Sequence, residues 1–498
     1  MTSGRMATGW RRLRKWLAMA ALLAVLIPAS LLLYLEIKLP GPLGQSFDVG
    51  YMLLRTAVRD LTIPTPPDLA GLRNRGPNVI VMLLDCYRHD YLDGAAPRLA
   101  ALAEDAWSYE RHYAAAAWTK PSSASLFTGL LPRRHFITRG EGYKLPQEAV
   151  TVSEWLQKWR FTTAGFVQGI HLTRIQEFDQ GFDHYVDSGK KGSKSLLHEF
   201  FRWMHREKPV RFYAYLHFPG THDAYYYDTD LLPLLQAPGY DGEVDFSNIE
   251  YKFEVADGER TLSEEELIHL EEAARIKSRR VDRLAVGEFL DRFLESSYAD
   301  NTLLIITSDH GDGFGEHGAI SHGYTVYNEE IHIPLVVRYP PSFAAERGFD
   351  ETGEWACPSS TVDIFPTIVD YVGVPMPEGL DGVSIIPSGP PQTACPRPVI
   401  AEMAGGGRIS SAALVWEDLK LIADYDTLGR FELYDVVADP TEQQDLAAQR
   451  PDDVERLRLE LESRLNADGT SLADWAEIKS EPISDELREK MRSLGYID

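Results

Sequence analysis

The segment Trp118-Thr119-Lys120-Pro121-Ser122-Ser123-Ala124-Ser125-Leu126-Phe127-Thr128-Gly129 sets a hydroxyl at a loop-to-helix junction, with Pro121 and Ser122 following as helix starters. A helix N-terminus gathers free backbone N–H groups and a partial positive charge. Thr119 is therefore a candidate nucleophile toward an anionic ester. Read alone, the same run is an ordinary N-cap. Two other segments change that weighting. Asp85 closes the apolar run Asn78 to Leu84, and Asp309-His310 follows a second such run, Thr302 to Thr307. Asp85, Asp309, His310 and the Thr119 hydroxyl form an oxygen-rich set with one nitrogen. That set suits a divalent cation, with manganese, zinc, magnesium and calcium all open. A cation there lowers the pKa of the hydroxyl and neutralises charge on an ester.

The elements that must position these residues follow from the apolar runs. Continuous apolar stretches of strand length belong to parallel strands covered on both faces, and ligand sites of open α/β sheets lie at their C-terminal edges. Asp85 and Asp309-His310 stand at two such edges. A third run, Phe212 to Leu216, leads into His217-Phe218-Pro219-Gly220-Thr221-His222-Asp223. Strands alternate with helices such as Thr151 to Trp159 and Glu264 to Glu295, as in a doubly wound sheet with helices on both faces. The Pro/Gly stretch Pro387 to Pro391 marks a boundary. Beyond it, short strands at Leu414 to Trp416, Lys420 to Ile422 and Phe431 to Tyr434 precede a helix near Asp452 to Leu465.

These segments resemble the sulfatase family of the alkaline phosphatase superfamily, in order from Asn78 to the C-terminus. Pro97-Arg98-Leu99-Ala100-Ala101-Leu102-Ala103 is similar to the family's T-P-N-L-D-x-L-A segment. Phe178-Asp179-Gln180-Gly181-Phe182-Asp183, Gly315-Glu316-His317-Gly318 and Tyr327-Asn328-Glu329-Glu330-Ile331-His332-Ile333-Pro334-Leu335 extend the likeness. Phe431-Glu432-Leu433-Tyr434-Asp435 with Asp439-Pro440-Thr441-Glu442 is similar to E-L-Y-D-L-x-x-D-P-x-E. The resemblance implies an alkaline-phosphatase-like mixed α/β sheet with a small C-terminal α+β subdomain. It also implies that His222 and His322 act as general acid and base.

The sequence departs from the family where a sulfatase makes its formylglycine. In the C-x-P-S-R signature the oxidised Cys or Ser column holds Thr119, and the Arg column holds Ser123. Around Val167-Gln168-Gly169-Ile170-His171, similar to G-K-W-H, the Lys column falls on Gly169 while His171 remains. A further Lys column falls on His322, before Gly323. Loss of those cations argues for an ester of phosphorus, with Thr119 attacking in line to give a covalent phospho-enzyme. The rivals are a sulfuric ester hydrolase that works without formylglycine, and an inactive binding protein. Cys86 occupies the second Asp column and reads as a small packed residue beside the ligands.

At the other end of the chain, Trp16 to Leu35 is apolar over the length needed to cross a bilayer, and Arg5, Arg11, Arg12, Arg14 and Lys15 precede it. The expectation is an uncleaved single-pass membrane anchor with an extracytoplasmic enzyme. On this reading residues 1–36 are tail and transmembrane helix, 37–77 linker, 78–388 catalytic domain and 389–498 C-terminal subdomain. With 50 Lys+Arg against 75 Asp+Glu the net charge is -25, which excludes charge-driven nucleic-acid binding. An anionic ester on a lipid head group or a glycan therefore has to be reached through a local site. Three cysteines are too few for a disulfide scaffold; in an oxidising compartment Cys357 and Cys395 could pair with Cys86 left free, a pairing the sequence leaves open.

Overall fold

Asn78–Leu84 and Thr302–Ser308 have no polar face to offer water, so each must be covered on both sides. In the computed structural model of the protein they are neighbours in an eight-stranded sheet. The structure describes residues 76–465, apart from 140–142, 188–191, 223–250, 252–253, 256–258, 388–394, 396, 406–407 and 425–429. The sheet strands are β1 (Asn78–Leu84), β2 (Trp107–Tyr109), β3 (Thr162–Val167), β4 (His184–Asp187), β5 (Phe212–Phe218), β6 (Thr302–Ser308), β7 (Leu335–Arg338) and β8 (Gly353–Trp355). Their order is β8-β2-β7-β6-β1-β5-β3-β4. β7 runs antiparallel to both of its neighbours and the other pairs are parallel, so the sheet is mixed.

Alternation along β1 shows how both faces are used. Ile80, Met82 and Leu84 point into one core with Leu197, Phe200 and Trp203 of helix Gly192–Glu207 and with Val281, Phe289 and Phe293. Val79, Val81 and Leu83 point into the other with Leu126 and Phe127 of helix Thr119–Thr128, Leu156, and Phe365 and Ile368. The helix expected from Glu264 to Glu295 is interrupted. It runs Glu264–Val281, widens into a π turn over Asp282–Gly287 and resumes at Glu288–Phe293. The widened turn has a local use, because buried Asp282 accepts the backbone N–H groups of Arg98 (2.8 Å) and Leu99 (2.9 Å) at the start of helix Pro97–Glu104.

After the main sheet, β9 (Val399–Gly405), β10 (Arg408–Trp416), β11 (Leu419–Asp424) and β12 (Arg430–Asp435) form an antiparallel meander. Leu457, Leu461 and Leu465 of helix Pro451–Leu465 cover one face. The other face, with Val399, Ala401 and Val415, packs on Tyr113, Ala114, Ala117 and Ile331. The Glu402 N–H donates to Ala115 O at 2.8 Å, so the meander braces the backbone leading into Thr119. Cys357 and Cys395 are disulfide-bonded, and Cys86 is free and buried. Among the described residues no helix is long and apolar enough to cross a membrane. Trp16 to Leu35, on which the anchor reading rests, lies outside the described residues.

A polar joint fastens the meander to the segment after β6. Lys420 and Glu442 form a fully buried ion pair at 2.8 Å, Lys420 donates to Asn328 Oδ1 at 3.0 Å, and the Asn328 N–H donates to Glu442 Oε2 at 2.7 Å. Beside it, His317 Nδ1 lies 2.7 Å from Glu329 Oε1 and Nε2 lies 3.0 Å from the Glu442 carbonyl oxygen. Burial opposes the charged imidazolium, yet Glu329 and that carbonyl outweigh it and raise the His317 pKa from 6.5 to about 9. A raised folded-state pKa contributes stability that is complete below 6.5 and is lost as pH rises through about 9. The melting temperature should accordingly fall between pH 7 and 10 more steeply in the wild type than in His317→Gln. Parallel curves for the two proteins would remove His317 from the account.

Candidate active site

Register decides which side chains at the strand ends can meet. Leu83 of β1 is level with His217 of β5 and with Thr307 of β6. Side chains alternate along a strand, so Asp85 and Asp309, two residues further on, emerge on the same face as His217. Helix Thr119–Thr128 packs on that face and presents its N-terminus to the same edge. The four residues expected from sequence, Asp85, Thr119, Asp309 and His310, are brought together here and all are buried.

Thr119 is the first helical residue, and the cap position belongs to Trp118, whose side chain makes no cap bond. The Thr119 hydroxyl is thus not spent on capping, and its Oγ1 lies 3.2 Å from His310 Nε2. The Ser122 hydroxyl donates to Asp309 O at 2.6 Å and ties the helix start to the end of β6. His310 Nδ1 faces Gly311 O at 2.8 Å; a carbonyl can only accept, so Nδ1 carries the proton and Nε2 keeps its lone pair for the site. Asp309 Oδ1 accepts the N–H groups of Cys86 (3.2 Å) and His310 (3.0 Å), while Oδ2 has no hydrogen bond and lies 3.4 Å from His310 Nε2. Cys86 reaches Asp309 from a left-handed backbone, φ 56°, a conformation that costs about 1–2 kcal/mol outside glycine. Asp85 Oδ1 is 3.8 Å from His310 Nε2 and accepts the Cys86 thiol at 3.3 Å.

Sequence reasoning missed His217. Its Nε2 lies 3.2 Å from Asp85 Oδ2, and its Nδ1 lies 3.2 Å from Gln168 O, the same carbonyl anchoring as at His310. The parity of β1 against β5 is the signal that could have found it. His222 and His322 do border the site. The His322 ring stands 4.4 Å from that of His310 and 5.0 Å from that of His222. Asp312 Oδ1, also not foreseen, lies 3.0 Å from His322 Nδ1 and turns Nε2 away from itself. The His222 loop is fastened by buried Lys277, which donates to the carbonyls of Thr221 (2.6 Å) and His222 (3.1 Å). The Thr221 hydroxyl in turn donates to Asp85 O. Buried Glu330 shapes the turn after His322 by accepting the N–H groups of Gly323, Tyr324 and Thr325.

Electrostatics at this edge are those of carboxylates buried close together. Burial pushes Asp309 up and the charge of Asp85 adds to it, so its pKa stands at about 6. Burial alone would raise Asp85 too, but His222, His217 and His310 outweigh it and hold its carboxyl well below the usual range. His217 and His310 are raised against the effect of burial, His217 chiefly by Asp85 and His310 by Asp309 and Asp85. Carboxylate and imidazole atoms of Asp85, His217 and Asp309 lie within 4.8 Å of one another. With the free Oδ2 of Asp309 and the lone pair of His310 Nε2 beside them, these donors fit a divalent cation.

The sulfatase family model matches residues 77–374, more than half of the chain, and the protein belongs to the sulfatase family. The N-acetylglucosamine-6-O-sulfatase of Bacteroides thetaiotaomicron is 28% identical over 165 residues, which is 32% of this chain and 28% of that protein. The choline-sulfatase of Rhizobium meliloti is 30% identical over 167 residues, 32% of this chain and 30% of that one. The chain thus covers under a third of the length of these two relatives. The crystal structure of the phosphonate monoester hydrolase of Agrobacterium radiobacter superposes with a TM-score of 0.58 at 20% identity, covering 78% of this chain and 95% of the other. That likeness establishes a shared fold.

Proposed function

We propose that this chain is a membrane-anchored, extracytoplasmic hydrolase or phosphotransferase that cleaves an anionic ester through Thr119, with a phosphate ester, phosphodiester or phosphonate preferred over a sulfate. The observation that carries the reading is the uncapped Thr119 hydroxyl, 3.2 Å from His310 Nε2 at an edge holding two buried carboxylates. Asp85, Asp309, His310 and Thr119 would hold one divalent cation, and His217 stands beside them. When bound, the cation supplies charge neutralisation at the ester oxygens and lowers the pKa of the hydroxyl.

The chain's own residues carry the rest. Thr119 gives up its hydroxyl proton to one of the two bordering imidazoles, His222 or His322, and its Oγ1 forms the new bond to phosphorus as the bond to the leaving alcohol breaks; the alcohol takes a proton from the other imidazole. Asp312 keeps the His322 proton bookkeeping consistent by holding Nδ1–H, so that Nε2 is the nitrogen that exchanges protons with substrate. A second nucleophile then gives its proton to the imidazole that protonated the alcohol and displaces Thr119 from phosphorus, and Oγ1 takes its proton back from the imidazole that first removed it. Water gives hydrolysis, and an acceptor alcohol gives transfer.

The test is a matched panel of aryl phosphate, phosphodiester, phosphonate and sulfate esters, offered to the full-length protein in detergent with each of manganese, zinc, magnesium and calcium. Phosphorus esters should turn over at least about tenfold faster than the sulfate, because the positions of the family's sulfate-holding cations are Ser123, Gly169 and His322. A faster sulfate ester would overturn the preference and favour the reading suggested by the relatives' names. Inertness on every ester would leave an inactive binding protein.

A further inference from the structure

We infer that Arg139 is a specificity-determining residue that takes a second, non-reacting anionic group of the substrate at the rim of this site. The inference rests on the site reading above and adds to it the class of substrate. The Arg139 Cζ lies 4.6 Å from the centroid of the Trp118 ring and 4.3 Å from that of Tyr324. Its Nη1–H donates to Gly323 O and its Nη2–H to the Tyr324 hydroxyl, both at 3.0 Å. At the other end of the residue, the backbone N–H donates to Ala404 O at 2.7 Å. The guanidinium is therefore fixed by two rings and two hydrogen bonds before any ligand arrives.

Among the described residues that arrangement leaves the charge unanswered. A guanidinium has five N–H donors, and among the described residues two are used, each on a neutral acceptor. Among the described residues no carboxylate pairs with Arg139. The rings lie over the guanidinium, so an anion has to approach its edge, where carboxylate, phosphate and sulfate groups bind in plane with two hydrogen bonds. Trp118 and Arg139 are half-buried and Tyr324 is exposed, which leaves that edge within reach of solvent.

Position relates this charge to the reacting centre. Trp118 immediately precedes Thr119, and its ring lies 5.0 Å from His322 and 5.8 Å from His171. Gly323, which accepts from Arg139, immediately follows His322. A Cβ on Gly323 would come within 2.5 Å of Trp118 Cε3, and the residue holds φ +82°. Arg139 thus touches the chain neighbours of both the proposed nucleophile and a proposed proton donor, yet is set back from them by the indole ring. The centre itself is crowded with acid, Asp85, Asp309 and Asp312, and the family's cation columns at Ser123 and Gly169 are neutral. A fixed cation one ring away suits an ester that carries another anion a short spacer from the one being cleaved.

The test uses non-reacting probes on the metal-loaded full-length protein in detergent. Methylphosphonate offers one anion, and ω-carboxyalkyl phosphonates of increasing chain length offer a second. Binding is followed by calorimetry and by tryptophan fluorescence. At one chain length the carboxylated probe should bind about 10- to 100-fold more tightly than methylphosphonate. Arg139→Gln should abolish that advantage while methylphosphonate binding stays unchanged, and Arg139→Lys should retain only part of it. Equal weakening of both probes, or no advantage at any chain length, would overturn the inference. Should methylphosphonate fail to bind the wild type while Arg139-dependent binding of a carboxylated probe persists, the phosphorus-ester reading falls and the anion anchor stands.

Discussion

Thr119→Ala is expected to lower turnover of the best phosphorus ester by a factor of about a thousand or more even at saturating metal, with a melting temperature close to wild type. Removing the nucleophile of a covalent mechanism typically costs about 10³- to 10⁶-fold, because the two-step path disappears and only binding and charge stabilisation remain. The fold gives little reason for a structural loss. Oγ1 makes no helix cap, and the helix start is held by the Ser122 hydroxyl on Asp309 O. Thr119→Ser keeps an oxygen in the same place and should retain measurable turnover together with a phospho-enzyme trapped by acid quench. A mild loss in Thr119→Ala would instead assign the attack to an activated water, with Thr119 reduced to a ligand. Measuring kcat and metal content on the same preparations separates these outcomes.

Much of this site was legible because its residues sit at the ends of apolar runs. Asn78–Leu84 and Thr302–Ser308 could be placed as central strands from hydropathy alone, and the acids that follow them had to emerge at one sheet edge. What could not be read was anything that depends on register between strands distant in sequence. His217 faces Asp85 only because β5 is level with β1 at Leu83, and no local pattern encodes that pairing. The same limit hid Asp312 and Lys277. Asp312 lies in an Asp-Gly turn that reads as loop, and Lys277 lies on a charged helix that reads as solvated although its Nζ is buried on the Thr221 carbonyl. In the meander, only parts of β10 to β12 were found, as the short strands Leu414 to Trp416, Lys420 to Ile422 and Phe431 to Tyr434. β9, Val399–Gly405, was missed because it follows a Pro-rich stretch and is mostly small or apolar along both faces. The π turn at Asp282–Gly287 could not be anticipated, since it exists to bring Asp282 to a helix start almost two hundred residues away.

Asp309→Asn should separate metal binding from stability in opposite directions. In the metal-free protein Asp309 is a buried carboxylate beside Asp85, and its pKa is raised from 3.8 to about 6, first by burial and then by that neighbour. A raised folded-state pKa gives stability that is complete below 3.8 and is lost as pH rises through about 6, so at neutral pH the charge strains the metal-free fold. Asn removes the charge and can still accept from the Cys86 N–H, and the metal-free variant should melt no lower than wild type at pH 7.5. Its metal response should collapse. Outer-shell partners of a metal site cost about 10- to 100-fold in affinity when removed, and a directly ligating carboxylate should cost more. Because binding stabilises in proportion to the logarithm of ligand over Kd, the rise in melting temperature on adding manganese or zinc should disappear in Asp309→Asn and persist in wild type. For wild type the same rise should shrink as pH falls through about 6, where protons compete for Asp309. A variant that still gains as much from metal as the wild type would place the cation elsewhere, and the grouping of Asp85, His217 and Asp309 would then be an acid-imidazole network without an ion.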